Sequence, residues 1–88
     1  MKYHVVFSRG FKKTVDKLDN TTYLLLKKWI NKHLINCEDP RIYGKALEGN
    51  LKGFWRYRIG NNRLIAKIED NEIVVLLIEF GQRSNIYK

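Results

Sequence analysis

From residue 54 to residue 78 the sequence alternates with a period of two, and this stretch limits what the chain can fold into. Phe54–Ile59, Arg63–Ile68 and Ile73–Ile78 are rich in β-branched and aromatic residues, which favours strands. Gly60-Asn61 and Asp70-Asn71 lie between them, and such residues tolerate the positive φ of tight turns. Three strands in a meander follow. With a two-residue loop at Gly60-Asn61, Ile59 pairs with Asn62, Arg58 with Arg63, Tyr57 with Leu64 and Trp55 with Ala66. Trp55, Tyr57, Leu64, Ala66 and Ile68 then share the core face, and Phe54, Arg56, Arg58, Arg63, Ile65 and Lys67 share the other. A four-residue loop sorts the faces in the same way.

The first half has different periods. Residues 2–7 alternate, with Tyr3, Val5 and Phe7 on one side, as a short strand does. Ser8 is placed to cap a helix in which Phe11, Val15 and Leu18 recur at helical spacing. The polar run Asp19-Asn20-Thr21-Thr22 ends that helix and caps a second, with Leu25, Leu26, Trp29, Ile30, His33 and Leu34 as its buried stripe, ending near Asn36. The last strand is apolar on both faces and belongs in the sheet interior, beside the first strand. The expected fold is α+β, in the order β-α-α-β-β-β, with two helices packed on a mainly antiparallel four-stranded sheet. The 88 residues contain no linker or repeat, so residues 1–88 form a single domain.

Several classes are disfavoured. One cysteine, Cys37, permits no internal disulfide and fits a reducing, cytoplasmic setting. The N-terminal residues lack a signal-peptide pattern, and the longest apolar run, Ile73–Ile78, is of strand length. His4 and His33 fall in different elements and make no zinc spacing, so neither a metal nor another cofactor is expected. His33 reads as a packed helix residue.

Charge gives the positive indication. Lysine and arginine number 17 against 9 aspartate and glutamate, a net charge of +8, which draws polyanions. On the register above, Arg58 and Arg63 lie opposite one another, and like charges so placed cost folding energy. Arg56, Arg58, Arg63 and Lys67, with Phe54 nearby, form a basic sheet face of the kind that clamps phosphates beside stacked bases. The structural alternative is a solvated face compensated by acidic neighbours such as Glu79. Lys12, Lys13, Lys17, Lys27, Lys28 and Lys32 are solvated helix positions that add weaker, salt-sensitive phosphate contacts.

Leu47-Glu48-Gly49-Asn50-Leu51-Lys52-Gly53-Phe54-Trp55-Arg56-Tyr57-Arg58-Ile59-Gly60, the following Asn62-Arg63-Leu64-Ile65-Ala66 and the closing Gly81-Gln82-Arg83-Ser84-Asn85-Ile86-Tyr87 resemble the RelE/ParE superfamily of toxins, in the StbE-like form of its RelE branch. The resemblance implies the toxin of a type II toxin-antitoxin pair, a metal-independent endoribonuclease (mRNA interferase) that cuts mRNA in the ribosomal A site and arrests translation and growth. It assigns Arg56, Arg58, Arg63, Arg83 and Tyr87 to the catalytic set, with Arg83 stabilising charge or protonating the leaving group and Tyr87 orienting the substrate. Phe54, Lys67 and Gln82 are expected to touch RNA. Gln82 departs from the Gly-His-Arg of close relatives, and glutamine has no proton that titrates near neutrality, so the resemblance also allows a catalytically weakened variant. A ParE-like inhibitor that binds DNA gyrase without cutting RNA, and a plain RNA-binding module, compete with the nuclease. The implied partners are a cognate acidic antitoxin, the ribosome with its mRNA, and operator DNA through the antitoxin.

Overall fold

The computed structural model describes residues 2–82, with the backbone alone at Gln82. The N-terminal alternation forms β1 (His4–Phe7). The Ser8 hydroxyl oxygen accepts from the Phe11 amide at 3.1 Å and opens α1 (Arg9–Asp16). Asp19 does the same for α2 (Asn20–His33), accepting from the Thr22 amide at 3.1 Å and the Thr22 hydroxyl at 2.7 Å. These caps satisfy amides that the first helical turn leaves without partners. Helix α2 stops at His33, before the expected Asn36, which has a left-handed φ of 61°.

The strands β2 (Gly44–Ala46), β3 (Trp55–Ile59), β4 (Asn62–Glu69) and β5 (Val74–Gln82) complete the chain. The sheet has five strands in the order β1-β5-β4-β3-β2, one more than expected. The extra strand, β2, spans three residues, too short to display a period. As expected, β5 lies inside the sheet beside β1, to which it is parallel, and every other pair is antiparallel. The β3–β4 register matches the one derived from the sequence at every pair. Gly60 has a φ of 61°, as the first position of a type II′ turn requires. The second turn is longer than expected. Ile73 has a positive φ of 56° and belongs to the loop, so β5 starts at Val74.

Both helices cover one face of the sheet, α1 against β5 and α2 against β3. Phe11, Leu26, Ile30, Leu34, Tyr57, Ile59, Leu64, Ala66, Val75, Leu77 and Phe80 form the core. Leu25 departs from the expected stripe: it is 46% exposed, beside the Gly60 turn. A bulge accounts for the packing of β5. Ile65 pairs with Glu79 and Ala66 with Leu77, so Ile78 has no β4 partner. Strict alternation would place Glu79 on the core side with Val75 and Leu77. The extra residue turns Phe80 inward instead and leaves Glu79 exposed, which avoids burying a carboxylate.

Candidate nucleic-acid interface

The sheet face away from the helices is a grid whose rows follow from the register. One row runs Lys45, Arg56, Ile65, Glu79 across β2 to β5, and the next runs Arg58, Arg63, Gly81 across β3 to β5. Alternate residues on a strand lie about 7 Å apart and neighbouring strands about 4.8 Å. The structure thus brings Arg56, Arg58 and Arg63 together, with Lys45 beside them. Ile65 is 3% exposed although it lies on this outer face. Its cross-strand neighbours Arg56 and Glu79 have stems long enough to cover apolar surface while their charged ends stay in water.

Two hollows open along the arginines. Ile42, Tyr43, Gly44, Lys45, Arg56 and Arg58 line one of about 320 Å³. Arg58, Gly60, Asn61, Asn62 and Arg63 line the other, of about 300 Å³. Arg58 belongs to both. Among the described residues the ion pairs are Arg41 with Asp70 and Lys67 with Glu69, so neither Arg56 nor Arg58 has a carboxylate partner there. Lys67 is held by Glu69 at 3.1 Å in an exposed pair. Glu79 accepts a long bond of 3.5 Å from the Thr14 hydroxyl and pairs with neither of these arginines.

Phe54 is not brought to this cluster. It lines a separate hollow with Arg41, Ala46, Gly53, Trp55 and Ile68, because Gly53 turns the chain at a φ of 98° just before β3. The buried indole N–H of Trp55 has no partner there among the described residues. Among the described residues the aromatic one that lines a hollow with the arginines is Tyr43. Sequence reasoning missed it and left Lys45 outside the site, because the segment Arg41–Ala46 has no period to read. The side chain of Gln82, and the whole of Arg83 and Tyr87, lie outside the described residues.

The surrounding groups are structural. Arg41 donates two bonds of 2.9 Å to Asp70, and the Tyr3 hydroxyl donates a third at 2.7 Å. Arg41 first, then Tyr3, holds the Asp70 carboxyl below its ordinary range. The Tyr57 hydroxyl donates to the Pro40 carbonyl at 2.6 Å from a buried position, and burial raises its pKa far above the usual phenol range. Burial, with Lys32 adding repulsion, lowers the pKa of His33. Burial also raises the Cys37 thiol, which keeps it protonated and a poor nucleophile. No group of three His, Cys, Asp or Glu side chains converges among the described residues, and no described helix is long and apolar enough to cross a membrane.

The family model for the ParE toxin of the type II toxin-antitoxin system parDE matches residues 5–87. No curated protein sequence matches the chain. Among solved structures, the toxin-antitoxin complex RelBE2 of Mycobacterium tuberculosis is similar with a TM-score of 0.83 and 24% identity, over 96% of this chain and 94% of that one. The isolated RelE toxin of E. coli gives 0.73 and 29%, over 97% and 90%. A mutant E. coli RelE in complex with an antitoxin RelB peptide gives 0.72 and 30%, over 99% and 92%. With a family match along almost its whole length and a fold similar to that of the RelE structures, this chain belongs to the RelE/ParE superfamily and is the toxin of a type II toxin-antitoxin system.

Proposed function

We propose that the toxin is a ribosome-dependent endoribonuclease that cuts mRNA in the A site. The observation that supports this most directly is the cluster of Arg56, Arg58 and Arg63, in which two like charges face each other across the hairpin at a cost to folding. A fold selected for stability alone gains nothing from leaving Arg56 and Arg58 without a carboxylate partner among the described residues. A reaction that accumulates negative charge on a phosphate does, because guanidinium groups already in place stabilise the charge as it develops.

In the proposed reaction the ribose 2′-oxygen attacks the adjacent phosphorus and the bond from phosphorus to the 5′-oxygen breaks. The 2′-hydroxyl loses its proton and the 5′-oxygen gains one, leaving a 2′,3′-cyclic phosphate and a 5′-hydroxyl. Arg56, Arg58 and Arg63 hold the phosphate and neutralise the charge that builds on it. Arg83 and Tyr87 are assigned to the leaving group and to substrate orientation by resemblance, and the ribosome orders the mRNA. Gln82→His tests the proton steps: a gain of toxicity would identify a missing acid or base, and no gain would leave those steps to Arg83, Tyr87 or the ribosome.

The matched ParE family favours a second reading, inhibition of DNA gyrase by binding. Primer extension on translated mRNA separates the two. Breaks at A-site codons after induction support the nuclease, whereas intact mRNA with gyrase-linked DNA breaks supports the gyrase inhibitor. The proposed partner is an acidic antitoxin, complementary to the net charge of +8, which would cover this face and carry the pair to operator DNA. Solved relatives in complex with antitoxins support that pairing.

A further inference from the structure

We infer that Tyr43 is a stacking platform for an unpaired RNA base beside the arginine cluster, an inference that rests on the nuclease reading for its place in catalysis but not for the binding itself. Three observations carry it.

The first is that the ring is both exposed and backed. Tyr43 is 41% exposed, and its ring centroid lies 4.7 Å from that of His33. His33 lies 4.6 Å from Trp29, and Trp29 lies 5.2 Å from Tyr57. Four rings thus run from the buried Tyr57 outward to Tyr43. A surface ring supported in this way loses little freedom when a base settles on it.

The second is that the backbone is held on both sides of the ring. Three residues before it, the Pro40 carbonyl accepts the buried Tyr57 hydroxyl at 2.6 Å. Immediately after it, Gly44 lies so close to β3 that a Cβ would collide with the Arg56 carbonyl oxygen and come within 2.8 Å of the Tyr57 ring. Tyr43 is therefore held against β3 at the edge of the sheet.

The third is the company the ring keeps. The hollow that Tyr43 lines also holds Lys45, Arg56 and Arg58, with Ile42 as its other apolar side chain. One aromatic ring among three cations is the combination that single-stranded nucleic acid uses, with a base on the ring and phosphates on the cations. A protein partner would be drawn by a broader apolar surface. The arginines thus hold the phosphate while Tyr43 takes up a base at the β2 edge.

The test uses the full chain and, as probe, a single-stranded pentaribonucleotide carrying 2-aminopurine, whose fluorescence is quenched by stacking. Tyr43→Phe is expected to bind and quench as the wild type does, and Tyr43→Leu, which keeps apolar bulk but has no π face, to lose the quenching and bind about 10-fold more weakly. Thermal unfolding of each variant checks that the fold persists, and A-site cutting is measured in parallel. Equal binding and quenching by wild type and Tyr43→Leu would overturn the inference, as would a wild type that binds without quenching. Loss of antitoxin binding alone in Tyr43→Leu would overturn it in favour of a protein contact. Quenching that depends on Tyr43 in a protein that never cuts translated mRNA would sink the nuclease reading and leave the platform standing. A-site cutting by a Tyr43→Leu protein whose binding and quenching are also unchanged would do the reverse.

Discussion

Arg58 faces Arg63 across β3 and β4, has no carboxylate partner among the described residues and lines both hollows. Stability and activity should therefore respond to it in opposite directions. Arg58→Gln removes the like-charge opposition and is expected to leave the unfolding free energy unchanged or raise it by up to ~1 kcal/mol. The same change takes away a phosphate contact and should slow A-site cutting by about 100-fold, the scale found when one stabilising donor is removed from an active site. Urea unfolding and primer extension measure the two effects. A variant clearly less stable than wild type that still cuts at the wild-type rate would contradict this account. Lys67 differs, because its exposed pair with Glu69 already engages the charge at little gain in stability.

Among the strands, β2 has the fewest residues and the closest constraint. Its three residues pair with β3, and Gly44 fits only because it has no side chain. A Cβ there would collide with the Arg56 carbonyl oxygen and lie 2.8 and 2.9 Å from the Tyr57 and Trp55 rings. Backbone and packed rings cannot yield as a flexible side chain can, so Gly44→Ala should displace β2 and cost about 1–3 kcal/mol. Displacement of β2 also moves Tyr43 and Lys45 away from Arg56, so RNA binding should weaken as well. Hydrogen exchange at the Gly44–Ala46 amides reports the strand directly, and protection equal to wild type in Gly44→Ala would show the close approach to be unimportant. The bulge at Ile78 has a comparable influence on β5, since it decides that Phe80 and not Glu79 enters the core.

For the molecule as a whole, the shifted ionisable groups act together to define a pH range of stability. The His33 pKa lies below its ordinary 6.5, mainly through burial, so the unfolded chain takes up that proton first as pH falls. Stability from neutral His33 is complete above pH 6.5 and declines below it. Asp70 and Asp19 are also lowered, from 3.8, by Arg41 and by Thr22 respectively. Their contributions are present above that value and are lost as pH falls through the folded-state pKa. Tyr57 is raised from 10.0 and Cys37 from 9.0, both chiefly by burial, so unfolding releases protons in strong alkali and stability falls there too. The midpoint of thermal unfolding should be highest between about pH 7 and 9, and His33→Gln should flatten the first part of the acid decline. A midpoint that rises from pH 7 to pH 5 would contradict the sign.

The β3–β4 hairpin, its register, the sides taken by Arg56, Arg58 and Arg63, both helix caps and the position of β5 beside β1 were all determined by the sequence alone. The hairpin, its register and the caps depend on a period, a turn residue or a cap within a few residues along the chain, and the interior place of β5 is legible because both of its faces are apolar. Tertiary structure decided the rest. Gly44–Ala46 becomes a strand only when β3 is there to pair with it, and Leu25 lies outside the core although it falls on the apolar stripe. Ile65 is buried on the outer face by its cross-strand surroundings, and the bulge arises because Glu79 and Phe80 compete for one core position. Phe54 turns into a different hollow from the arginines, and Tyr43 takes the place beside them. Most of these outcomes depend on contact between residues far apart in the chain, where close packing and the cost of burying charge decide what local pattern leaves open.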